Sequence, residues 1–104
     1  MKENAPMLTK TKILQVLHDN KNLLSDYGVI EIGLFGSFQK EAQHKDSDID
    51  IIVHFDEHHE TFDNLMAVYD ILEKAFKNYK IDVVTKNGLS KYIGSYILEE
   101  TEYV

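Results

Sequence analysis

The stretch Asp48-Ile49-Asp50-Ile51-Ile52-Val53-His54-Phe55 constrains the fold more than any other, because β-branched and aromatic residues fill it and a pleated strand is the backbone that accommodates them. Two other runs have the same character. Val29-Ile30-Glu31-Ile32-Gly33-Leu34-Phe35 reads as a strand ending at Gly36-Ser37, with a short helical turn after it, and Lys80-Ile81-Asp82-Val83-Val84-Thr85 reads as a third strand. Gln43 to Ser47 is polar and predicts a loop.

Helical spacings fill the intervals. Thr9 or Thr11 caps a first helix in which Ile13, Val16, Leu17, Asn20 and Leu24 recur every three or four residues, Leu14 widens the apolar face, and Tyr27-Gly28 closes the segment in a left-handed turn. Thr61 or Asp63 opens a second helix with Phe62, Leu65, Met66, Tyr69, Leu72 and Phe76 on one face. After a turn at Asn87-Gly88, Leu89, Tyr92, Ile93, Tyr96 and Ile97 predict a third. Strands alternating with helices imply an α+β fold: one domain over residues 1–104, with helices layered on a small mixed sheet of three or four strands.

Composition removes whole classes of chemistry. With no cysteine, disulfides, Cys-ligated zinc, thiol catalysis and iron–sulfur clusters are excluded. Lysine and arginine number 11, all of them lysine, against 18 acidic residues, and the net charge of −7 argues against tight nonspecific binding to nucleic acid. No apolar run approaches the roughly 20 residues needed to span a bilayer, and Met1 to Lys12 lacks the apolar stretch of a signal peptide. A cytoplasmic protein without a membrane role is the expectation.

Chemistry concentrates between Gly36 and Asp50: Gly36-Ser37, ten residues, then Asp48-Ile49-Asp50. Residues two apart on a strand share a face at about 6.5 to 7 Å, so Asp48 and Asp50 present paired carboxylates while Ile49, Ile51 and Val53 face the other way. Such hard oxygen ligands suit Mg²⁺ or Mn²⁺. Asp82, between Ile81 and Val83, is expected to complete a two-metal site from a buried neighbourhood. At Gly36-Ser37 a strand gives way to a helix, where backbone N–H groups receive an anion and the Ser37 hydroxyl adds a donor to a terminal phosphate. Phosphate on the glycine turn and metal on the aspartates together describe nucleotidyl transfer. The second Gly-Ser, Gly94-Ser95, lies in a helical pattern with no Asp-x-Asp after it, and is assigned no function.

The segments Leu34-Phe35-Gly36-Ser37, Ser47-Asp48-Ile49-Asp50-Ile51-Ile52-Val53 and Ile81-Asp82-Val83-Val84 resemble the minimal nucleotidyltransferases of the DNA polymerase beta superfamily, over nearly the whole chain. The resemblance implies a nucleotidyltransferase fold, phosphate binding at Gly36 and Ser37, two Mg²⁺ ions (or Mn²⁺) on Asp48, Asp50 and Asp82, and Asp82 as a base for the incoming hydroxyl. It also implies ATP as donor and, as partner, a HEPN-domain ribonuclease toxin silenced by transfer of AMP to a tyrosine. Members of the family often carry Ala-Arg-Gly after Gly-Ser. This chain has Gln39-Lys40-Glu41 there, so Lys40 supplies positive charge without a bidentate fork. In a chain of this size the acceptor is expected on a partner protein or between self-associated copies; the alternatives are a binding-only antitoxin and a dimeric small-molecule nucleotidyltransferase.

Three other features read as ordinary structure. His54, His58 and His59 beside Asp56, Glu57 and Glu60 form a polar connector, and Lys74, Lys77 and Lys80 lie on a solvated surface. Tyr92, Tyr96 and Tyr103, with Ile93 and Ile97, are expected mainly to pack in the core, with some left to face a partner.

Overall fold

A computed structural model describes residues 8–44, 46–89 and 91–104, with residues 91–93 described by their backbone alone. Helix α1 (Lys10–Asp19) starts at Thr9, whose hydroxyl accepts from the Lys12 amide at 3.2 Å. The first helix is not continuous, as the periodicity implied. It breaks at Asn20, which has ψ 0° and whose side-chain amide donates to the Val16 carbonyl at 2.8 Å, and a short α2 (Lys21–Ser25) follows. Gly28 takes the expected left-handed turn at φ +91°, where a side chain would also strike the Cβ of His59.

Strand β1 (Val29–Phe35) runs antiparallel to β2 (Ile49–Phe55), and β2 runs parallel to β3 (Ile81–Thr85). Between β1 and β2 lies α3 (Gly36–Gln39), and between β2 and β3 lies α4 (Phe62–Ala75), capped by Thr61. After β3 come a 3₁₀ turn (Lys86–Gly88), α5 (Lys91–Glu100) and β4 (Glu102–Tyr103). The sheet order is β3-β2-β1-β4, a mixed four-stranded sheet. Strand β4 carries no signal in the sequence. Two residues carry no periodicity, and the strand exists because Gly33 leaves room: a Cβ there would lie 2.5 Å from Thr101 Cγ2 and 3.0 Å from the Glu102 carbonyl.

Leu34, Ile49, Ile51, Val53, Val68 and Leu72 are fully buried, with Ile13, Leu17 and Leu24 closing the core from α1 and α2. The face of α4 differs from the one expected. Phe62 and Met66 are 73% and 44% exposed, whereas Val68 and Leu72 are sealed and Leu65, Tyr69, Ile71 and Ala75 pack beside them. Met66 stands about 100° around the helix from Leu65, so a stripe centred on residues 65, 68 and 72 turns it away from the sheet. Tyr96, 74% exposed, and Tyr103 are likewise not core residues, while the side chains of Tyr92 and Ile93 lie outside the described residues. Among the described residues, no helix is long and apolar enough to cross a membrane.

The corrected stripe makes a direct prediction. Leu72→Ala should cost about 2 to 5 kcal/mol through the cavity it leaves, and Phe62→Ser should change stability by less than about 0.5 kcal/mol. Urea denaturation of both variants measures the difference.

Candidate active site

Backbone pairing brings the predicted residues together. Asp50 is the second residue of β2, paired with Phe35 on β1 and with Asp82 on β3. In-register residues on neighbouring strands project to the same side about 5 Å apart, so the two aspartates stand side by side. Asp48 does not lie within the strand as the sequence suggested. It falls just before Ile49, whose amide donates to the Lys80 carbonyl at 2.9 Å and anchors the start of β2 beside β3. Asp82 is exposed rather than enclosed: only Ile81 beside it is buried, because β3 is an edge strand.

Gly36 follows directly on β1 with φ +78°, and a Cβ built there would collide with Asp50 Oδ2. Glycine is therefore required twice, by the backbone angle and by the carboxylate against it. Phe38, 3% exposed, pins the single turn of α3 to the core, and the Ser37 carbonyl accepts from the Ala42 amide at 2.9 Å. These contacts hold Gly36 and the half-buried Ser37 beside Asp50. Lys40 ends the turn, exposed, with its ammonium 3.1 Å from Glu100 Oε1.

Glu100 joins the site without any mark in the sequence. It closes α5, and its Oε2 accepts from the Gly36 amide at 2.8 Å. No local pattern marks it, since 64 positions separate the partners. Its carboxyl is held below the ordinary glutamate value: burial pushes it up, but the Gly36 N–H and the Lys40 ammonium outweigh burial.

Asp50 shows the opposite balance. Burial, then the charges of Asp82, Asp48 and Glu100, push its carboxyl up to about 6. Among the described residues, Asp48, Asp50 and Asp82 form no ion pair. Among the described residues these grouped carboxylates meet no compensating cation, and such a group fits a divalent ion, which would remove the repulsion they feel. Among the described residues the side chains do not already close into a group of three or more metal-holding ligands, and exposed Asp82 has the freedom to adjust. A cleft of about 350 Å³ opens beside Asp48, lined also by Asp46, Ser47, Asn78, Tyr79 and Lys80. A larger groove between α1, α2 and α4 is lined by Val16, Leu23, Ile71 and Ala75, and its one lining carboxylate, Asp70, pairs with Lys74 at 3.0 Å.

The histidine-rich connector behaves as ordinary structure. His54 lies in β2 rather than in the connector and bonds Glu31 at 3.1 Å, while within the connector His59 approaches Asp56 at 3.7 Å and His58 is exposed.

The chain matches the nucleotidyltransferase domain family over residues 15–104. The protein adenylyltransferase MntA of Thermococcus cleftensis is 35% identical to it over 101 residues, spanning 94% of this chain and 98% of the relative. A solved candidate minimal nucleotidyltransferase superposes with a TM-score of 0.80 over 94% of this chain and 98% of its own, at 21% identity, which bears on the fold. A crystal structure of a toxin–antitoxin with AMP-PNP superposes at 0.62 with 28% identity, over 92% of this chain and 72% of that one.

The crowding at Asp50 sets a pH dependence. A folded-state pKa raised from 3.8 means that the native state holds its proton longer than the unfolded chain, so Asp50 progressively destabilises the fold as pH rises from about 4 through 6. Discounted for partial exposure, the cost above pH 6 is roughly 1 to 2 kcal/mol. Without divalent metal, Asp50→Asn should therefore melt higher than the unaltered protein at pH 7, and the gap should shrink towards pH 4. Thermal melts across that range in chelator measure it.

Proposed function

This chain belongs to the nucleotidyltransferase domain family, and from that premise we propose that it transfers AMP from ATP to a tyrosine hydroxyl of a HEPN-type ribonuclease toxin. One observation carries the reading: Asp50, in register with Asp82 and pressed against Gly36, joins a carboxylate group to a glycine turn at one end of the sheet. The name of the Thermococcus relative supports protein adenylylation, and the AMP-PNP complex supports both ATP and a toxin partner.

Asp48, Asp50 and Asp82 would hold Mg²⁺ or Mn²⁺, two ions in all. When bound, such ions neutralise triphosphate charge and polarise the α-phosphate. Ser37 donates its hydroxyl to a terminal phosphate oxygen, and the Gly36 turn lets the phosphates approach the backbone. Lys40 adds positive charge beside the outgoing pyrophosphate. The tyrosine oxygen forms a bond to the α-phosphorus while the bond from that phosphorus to the bridging oxygen breaks, leaving pyrophosphate. In this reading Asp82, exposed on the edge strand, takes the phenolic proton, a modest task because a tyrosine hydroxyl has a pKa near 10. The cleft beside Asp48 gives the donor or the acceptor room to enter.

Incubation with ATP, Mg²⁺ and the toxin, followed by intact mass measurement, tests this reading. The toxin should gain one or more AMP units and stay inactive after separation. Asp48→Asn with Asp50→Asn should abolish the mass gain, and Ser37→Ala should reduce it by about ten- to a hundredfold, in line with losing one charge-assisted donor. Full recovery of ribonuclease activity after separation from the unaltered protein, with no mass gain, would instead identify an antitoxin that acts by covering its partner.

A further inference from the structure

The Gly36 amide and the Lys40 ammonium are both aimed at one anion already present in the chain. Glu100 presents Oε2 to the amide at 2.8 Å and Oε1 to the ammonium at 3.1 Å, engaging both oxygens at once. Its side chain is 24% exposed, so it lies at the mouth of the site within reach of solvent and of an incoming solute. It is also the last residue of α5, and its side chain can leave these donors by rotating about its own bonds while β4 stays paired with β1.

We propose that Glu100 is an internal competitor for the phosphate position, occupying the Gly36 and Lys40 donors in the free protein and leaving when a polyphosphate takes them. The inference rests on the nucleotidyl-transfer reading for the identity of that polyphosphate. A carboxylate and a phosphate oxygen accept the same hydrogen bonds, and both are drawn to the same ammonium. Glu100 also adds negative charge that reaches Asp50. Its departure therefore frees two donors and lowers the repulsion facing an incoming triphosphate. The contact keeps these two donors occupied until polyphosphate arrives.

Glu100→Gln keeps the shape and an acceptor for the Gly36 amide but removes the charge that holds Lys40. Binding of Mg²⁺·ATP and of Mg²⁺·tripolyphosphate to both proteins, measured by calorimetry, should be roughly three- to tenfold tighter in the variant, the gain expected from losing one charge-assisted contact to a competitor. If both probes bind the unaltered protein and E100Q binds neither more tightly, the competitor role is overturned and nucleotidyl transfer stands. If tripolyphosphate binds more tightly to E100Q while neither protein binds ATP, Glu100 is a competitor in a site that is not a nucleotide site. Absence of binding by either protein overturns both. A merely structural anchor would lower the melting temperature of E100Q and leave or weaken its affinity. Should E100Q fail to fold, NMR of the unaltered protein decides: the Gly36 amide and the Glu100 carboxylate resonances should move together as Mg²⁺·tripolyphosphate is added. A Glu100 resonance that stays fixed at saturation overturns the proposal.

Discussion

Pairing of β2 on both of its edges is the constraint from which the rest of this structure follows. Antiparallel bonding to β1 sets Phe35 opposite Asp50, and parallel bonding to β3 sets Asp82 opposite the same residue. Slipping either pair by one position would send Ile49 and Ile51 to the wrong face, so the fully buried isoleucines lock the register of the aspartates. Apolar burial thus supplies the free energy that holds like charges together. Burial of Asp50 and then the repulsion of its neighbours appear as its raised carboxyl, and both are retained because the hydrophobic sheet outweighs them.

The glycine turn depends on the same pairing. Gly36 is the residue at which β1 stops, and its left-handed angle swings the chain over Asp50 into α3. Any side chain there would collide with the carboxylate. The spacing of Gly36-Ser37 and Asp48-Ile49-Asp50 thus reflects the path of one hairpin-like connection: out along β1, around α3, and back along β2 to meet its own starting point.

Long β-branched runs and capped helices were legible in the sequence because each is a local signal. The three principal strands, the Thr61 cap and the left-handed Gly28 follow from such patterns, whereas the grouping of Asp50 with Asp82 depends on the parallel pairing of β2 with β3. What escaped depends on distant partners. Asn20 breaks the first helix through its own amide, β4 forms because Gly33 lacks a side chain, and Glu100 meets Gly36 only after α5 has crossed to the site. Phe62 and Met66 were misplaced for a related reason: helical spacing shows that a face exists, whereas the sheet decides which apolar residues lie on it.

The claim at the centre of this account is that these carboxylates form a divalent-cation site for nucleotide. Titration of Mn²⁺ with a non-hydrolysable ATP analogue, followed by paramagnetic broadening of backbone amide signals, tests it most directly. Broadening should begin at Gly36, Asp48, Asp50 and Asp82 and spare the connector from Asp56 to Glu60. Broadening centred on that connector, or spread evenly over the acidic surface, would contradict the account.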